Sequence, residues 1–151
     1  MRCVYPTAEQ NDKLAILAAN RLGVDSFQPC QCIAFMDANK LAGVVVYSNY
    51  RHPSIEVSIF CDDPRWALNR DMIEEALMYP FRQLKVNRIT ALVQKNNKRS
   101  RKMVKRLGFV EEGKLRKAST KDDLFVYGLL PEEYRLKRHG KEKPADTAAA
   151  A

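Results

Sequence analysis

The chain has 151 residues, 46% of them hydrophobic, and carries a formal net charge of +8. That length suits one domain with its own core, and the composition excludes a disordered polyelectrolyte. No apolar run reaches the roughly 18 residues of a membrane helix and no basic-then-apolar leader opens the chain, so a cytoplasmic protein without membrane contact is expected.

Thr7 caps a helix running to about Arg21, with Leu14, Ile16, Leu17, Ala18 and Leu22 as its apolar face and Gly23 as its stop. Cys32 to Met36 and Leu41 to Tyr50 read as two strands joined by the turn Asp37-Ala38-Asn39-Lys40, hence a hairpin. After Pro53, Ser54 to Cys61 alternates strictly: Ile55, Val57 and Ile59 share one face, and Glu56, Ser58 and Phe60 the other. A helix is expected from about Ala67 to Leu84, where Pro80 removes one backbone hydrogen bond and bends the last turn. Arg88 to Gln94 is a strand. A basic helix follows from about Lys98 to Leu107, stopped by Gly108, and then strands at Phe109 to Glu112 and Leu124 to Leu129. This order of elements argues for an α+β domain over residues 1–136, a mixed sheet with helices on its faces. Residues 137–151, charged and then alanine-rich, read as a disordered tail.

Cys3, Cys30, Cys32 and Cys61 form no C-x-x-C pair, and the histidines are His52 and His139, so no metal site is expected. Cys30 and Cys32 fall on one strand face as a reduced, packed pair. Lys95, Lys98, Arg99, Arg101, Lys102, Lys105 and Arg106 crowd one segment. Such a cluster either attracts phosphates, of a nucleotide cofactor or a nucleic acid, or is a solvated basic face.

The ordered set I-E-V-S-I-F-C-D-D-P-R-W, M-Y-P-F-R-Q-L-K-V-N-R-I-T-A-L-V, then N-K-R-S and R-L-G-F-V-E-E-G-K-L-R closely resembles the GNAT N-acetyltransferases over roughly residues 34–130. Within that family it is most similar to the branch acting on protein N-termini, ribosomal proteins among them, and to small bacterial and phage members. The resemblance implies a mixed, mostly antiparallel sheet with helices on both faces and a splayed central strand. It implies acetyl-coenzyme A as cofactor and direct acetyl transfer to a primary amine: a protein N-terminus, a lysine or a small amine. On this sequence the pantetheine arm would run beside Ile59, Phe60 and Cys61, and the pyrophosphate would sit on amides where the next helix begins.

The family's loop there is Q/R-x-x-G-x-G/A, whereas Arg65-Trp66-Ala67-Leu68-Asn69-Arg70-Asp71 holds no glycine. In one reading Asn69 takes the left-handed conformation of a missing glycine while Arg65 and Arg70 add direct charge. In the other, Asp63 caps and Pro64 begins the helix, with no phosphate loop. Trp66 either lies over the cofactor or packs the helix start. Asn97 and Ser100 occupy the family's N-x-x-S positions, and Arg101, with Lys98, Arg99 and Lys102, stands near the expected adenosine 3′-phosphate. Many members carry a tyrosine acid five residues before the phenylalanine of L-G-F; this chain has Val104. Glu56 is the candidate general base, against a purely structural strand role, with His52 and Tyr127 as lesser candidates. Arg116 pairs with an acid, with Asp122 and Asp123 nearby, as architecture. The alternative function is a catalytically inactive module of the same fold, binding nucleic acid or another acidic partner through its basic helix. The chain is expected as a monomer or homodimer.

Overall fold

The computed structural model describes residues 1–134, and the reading of 137–151 as a tail lies outside them. Among the described residues are seven strands and three α-helices. They group into two compact units, one of Met1–Arg51 with Val57–Tyr79, the other of His52–Glu56 with the chain from Pro80 on.

The first unit begins with β1 (Arg2–Val4), a strand too short to show periodicity in the sequence, paired antiparallel to β2 (Cys30–Asp37). Between them, α1 (Ala8–Leu22) opens on a reciprocal cap. Thr7 Oγ1 accepts from the Gln10 amide and Gln10 Oε1 accepts from the Thr7 amide; Gly23 closes the helix at φ 71°. The face α1 buries is only partly the predicted one. Ala18 is buried and Leu14 and Leu22 half-buried as expected, but Ile16 and Leu17 are 63% and 38% exposed, and Ala15 and Ala19 are buried in their place. Alanines let the helix approach the sheet closely, and that contact selects the face over side-chain size: Ala15 and Ala18 pack on Cys32, Val44 and Val46, with Leu14 and Phe60 at the margin.

β3 (Lys40–Arg51) completes the hairpin with β2, in register from Cys30↔Ser48 to Asp37↔Lys40 and with one irregularity between Phe35 and Met36. Both strands are longer than the sequence suggested because the pairing continues into the polar flanks. The opposite face of the hairpin meets α2 (Arg70–Arg82), where the buried Tyr47 hydroxyl donates to the Ala76 carbonyl.

That bond answers the proline. Ala76 lies four residues before Pro80, which has no N–H to donate to it, and the Tyr47 hydroxyl takes the vacant acceptor. Burial pushes the Tyr47 phenol well above its ordinary range, so it remains a donor. Tyr47→Phe leaves the carbonyl unpaired and is expected to cost about 1–3 kcal/mol. Pro80→Ala restores the backbone donor, so Tyr47→Phe should cost much less in that background. Denaturant melts of the four proteins measure this coupling; equal costs in both backgrounds would refute it.

β4 (Ser54–Cys61) matches its predicted span; Ser54–Glu56 belongs to the second unit and Val57–Cys61 to the first. Within the first unit, β3 and the end of β4 approach closely at Gly43. A Cβ there would lie 2.5 Å from the Phe60 carbonyl oxygen and 2.8 Å from Cys61 Cα, so only glycine fits.

In the second unit, β5 (Arg88–Gln94), β7 (Leu124–Leu129) and β6 (Val110–Leu115) run in the order β5-β7-β6 with antiparallel pairing. α3 (Lys98–Leu107) starts where Asn97 Oδ1 accepts from the Ser100 amide and stops at Gly108, φ 107°. β6 begins one residue later than predicted and reaches Leu115 instead of Glu112, because a bulge between Glu111 and Gly113 lets pairing with β7 continue past the glycine. No helix among the described residues is long and apolar enough to cross a membrane.

Candidate functional site

The predicted cofactor residues of the first unit gather where β4 ends and α2 begins. The Asp62 amide donates to the Ala42 carbonyl at 2.9 Å, tying the strand exit to β3. Arg21, from the end of α1, pairs with the Asp62 carboxylate and places its guanidinium 5.0 Å from the centre of the Phe60 ring. Cys61 Sγ donates to the Asp63 carbonyl at 3.5 Å.

The expected single helix from Ala67 is instead two elements. Pro64–Leu68, which includes Trp66, Ala67 and Leu68, is a 3₁₀ turn capped by Asp63, whose Oδ1 accepts from the Arg65 amide at 2.9 Å. At Asn69 the chain resets, and α2 runs from Arg70 to Arg82, short of the predicted Leu84. Pro64 thus begins a turn and not the helix. Asn69 does not adopt the left-handed conformation proposed for it: its φ is −89° and its ψ 84°. It caps α2 instead, with Oδ1 accepting from the Met72 amide at 3.0 Å and Nδ2 donating to the Met1 carbonyl at 3.1 Å. An asparagine with two partners for its amide has no need of the glycine's conformation. Trp66 packs: its ring stacks with Phe35, centroids 6.1 Å apart and planes 24° from parallel.

An open hollow of about 470 Å³ lies at the start of α2, lined by Arg65, Asn69, Arg70 and Asp71. Arg65 does not bring free charge to it. Its Nε donates to both Asp63 carboxylate oxygens at 3.0 Å, and its terminal nitrogen pairs with Asp63 and with Asp37 at the end of β2. Arg70 is exposed at the same rim, and the helix start adds its own partial positive charge. The lining thus offers an anionic group Arg70 and the helix start, set against the Asp71 carboxylate, with Arg65 acting as a brace for the loop.

The Arg65 hydrogen bonds, side-chain first and then backbone, hold the Asp63 carboxyl at about 2. A folded value below the ordinary one means that this brace contributes fully above the usual carboxylate range and is lost as pH falls through about 2. A carbon-detected NMR titration of Asp63 should show this depressed midpoint. A midpoint at the ordinary value of about 3.9 would mean the brace does not hold in solution.

Burial pushes the Cys3 and Cys32 thiols up to about 12, with Glu75 adding to the first and Cys30 to the second, so both are thiols at neutral pH. Cys30 and Cys32 are free and adjacent on β2, as expected.

In the second unit, Asn97 and Ser100 make the α3 cap described above, and Arg101 is turned onto β7. Its guanidinium lies 4.2 Å from the centre of the Phe125 ring, Nε donates to the Tyr127 hydroxyl at 3.2 Å, and a terminal nitrogen donates to the Lys95 carbonyl at 3.1 Å. The fully buried Tyr127 donates in turn to Glu111 at 3.3 Å. Lys95, Lys98, Arg99, Lys102, Lys105 and Arg106 are exposed, so the basic face is Arg101's neighbours and not Arg101. Val104, half-buried on α3, offers no proton. Glu56 is half-buried between Ile55 and Val57, and His52 sits in the exposed turn before β4 with Nε2 3.2 Å from the Lys85 carbonyl. Asp123 accepts from the Lys117 amide at 2.8 Å and lies 4.0 Å from Lys114, and among the described residues Arg116 has no ion pair. Sequence reading missed Arg21 and Asp37, since nothing local to either residue marks a partner on another element.

The domain family described as Acetyltransferase (GNAT) domain matches residues 1–110, and the chain belongs to that family. Solved structures agree on the fold. Ribosomal-protein-S5-alanine acetyltransferase from Vibrio fischeri is 21% identical, with 80% of this chain and 69% of that one covered and a TM-score of 0.61. Spermidine N-acetyltransferase from Vibrio cholerae, in a dodecameric structure, is 26% identical over 79% of this chain and 73% of that one, TM-score 0.60. A GNAT-family acetyltransferase from Bacillus anthracis is 25% identical over 67% and 65%, TM-score 0.53. No curated protein matches the chain.

Proposed function

We propose that the protein is an acetyl-CoA-dependent N-acetyltransferase that moves the acetyl group directly to a primary amine. Membership of the GNAT family supports the reaction class, and the hollow at the start of α2 carries the reading for this chain. Acetyl-CoA, when bound, supplies an acetyl group already activated as a thioester. Arg70 and the positive end of α2 would hold its diphosphate, with Asn69 taking the Met72 amide to fix where the helix starts and Arg65 bracing the turn. The peptide groups of Ile59 to Cys61 would lie along its pantetheine arm. Glu56, or a water it orders, would take the proton that an ammonium must lose before its lone pair can attack. Positioning then supplies much of the acceleration, which suits a site poor in catalytic side chains.

The acceptor is an amine of a protein N-terminus, a lysine or a small molecule. Titration calorimetry with acetyl-CoA, followed by thiol release in the presence of a peptide with a free N-terminus, a lysine peptide and spermidine, tests the reading. Heat on binding and thiol release with one of the three is the expected result. No heat with acetyl-CoA would refute it.

A second reading rests on one observation, the six exposed basic residues from Lys95 to Arg106 on a chain with Val104 in the acid's place. In that case the fold serves as a binding module for an acidic partner, and salt-sensitive binding of duplex DNA without thiol release would favour it.

A further inference from the structure

Tyrosines from three segments of the first unit gather beside α2. Tyr79 on α2 holds its ring centre 5.6 Å from that of Tyr47 on β3 and 6.0 Å from that of Tyr5, which follows β1. The ring planes are tilted by 40° and 53°, so neither pair is closed face to face. Tyr47 is buried with its hydroxyl bound to Ala76, which makes it the fixed floor on which Tyr79 rests. Tyr5 is 43% exposed, Tyr79 is half-buried, and Tyr50, near the end of β3, is 49% exposed. Burial and then Tyr50 raise the Tyr79 phenol, so Tyr50 flanks the same ring.

A carboxylate stands in this group. Glu75 precedes Tyr79 by four residues and lies on the same face of α2. Second to burial, its charge raises both the Tyr5 phenol and the Cys3 thiol, which sets it on the β1 side of the rings. Glu75 is exposed and, among the described residues, has no ion pair and no hydrogen bond. That is unexpected on a chain with 26 Lys and Arg against 18 Asp and Glu. Packing accounts for Tyr47. It does not account for tyrosine rings left partly in water around an uncompensated negative charge. Ring faces and a carboxylate attract the same thing, a positive charge carried on an apolar stem.

We propose that Tyr5, Tyr79 and Glu75 form a binding site for an alkylammonium group. The ammonium pairs with the Glu75 carboxylate, and the ring faces of Tyr5 and Tyr79 take its charge and its methylenes. A lysine side chain of another protein and a free alkylamine both present this chemistry. The site uses no residue assigned to acetyl-CoA or to proton transfer, so it stands or falls separately from the acetyltransferase reading.

Titration of the full chain with n-butylammonium chloride at constant ionic strength tests it, read by aromatic carbon–proton NMR, with n-butanol as the uncharged control. The expected result is a saturable shift of the Tyr79 ring signals with the ammonium and none with the alcohol. Glu75→Gln should weaken binding by about 2–5-fold, and Tyr5→Leu by about the same factor through loss of a ring face. Both side chains are exposed, so both variants should fold; circular dichroism checks this. N-acetyl-lysine methylamide separates the two sources. Binding tighter than that of n-butylammonium assigns the site to a lysine of a protein, and equal or weaker binding assigns it to a free amine. No saturation with n-butylammonium would overturn the proposal. So would an equal shift with the alcohol, or a folded Glu75→Gln protein that binds as the wild type does.

Discussion

Glu56→Gln is expected to lower kcat by about 10²–10⁴-fold, the range a positioned general base contributes, while leaving the acetyl-CoA Kd and the thermal midpoint unchanged. Glutamine keeps the length and most of the hydrogen-bonding capacity of the glutamate on β4 but cannot accept a proton at neutral pH. A structural glutamate between the buried Ile55 and Val57 would give the opposite pattern, with a lowered midpoint and a kcat near wild type once folded protein is counted. Single-turnover thiol release at saturating acetyl-CoA, alongside calorimetry and a thermal melt, separates the two. An unchanged turnover would remove Glu56 from the mechanism.

Arg70→Glu is expected to weaken acetyl-CoA binding by about 10–100-fold, the loss of a charge-assisted phosphate contact. Turnover at saturating cofactor should change little, because the diphosphate is remote from the reacting carbon. The contrast with Arg65 is informative. Asp63 and Asp37 occupy the Arg65 guanidinium, so Arg65→Gln should act first on stability and on cofactor affinity only through the loosened turn. Calorimetry on both variants decides the assignment. An Arg65 variant that binds acetyl-CoA worse than Arg70→Glu while melting like the wild type would reverse it.

Local physics made much of this protein legible from its residues. Thr7 with Gly23, Asn97 with Gly108, and the strict alternation from Ser54 to Cys61 each act locally, and the structure places caps and strand at those positions. The ordered motifs likewise carried the family, which the match over residues 1–110 establishes. What local sequence could not settle was the choice among contacts available only after folding. Whether α1 buries its leucine and isoleucine or its alanines depends on how closely the hairpin can be approached. Arg65 is a brace first through Asp63, two residues before it, and then through Asp37, which is remote in sequence and close only because β2 ends beside the turn. Asn69 was free, as a residue type, to be left-handed or to cap, and the amides offered by Met72 and the carbonyl of Met1 selected capping. Composition and periodicity determine which elements form, because those energies are local. Which face is buried and which charge is spent were decided by tertiary packing, because those energies belong to pairs of residues far apart in the chain.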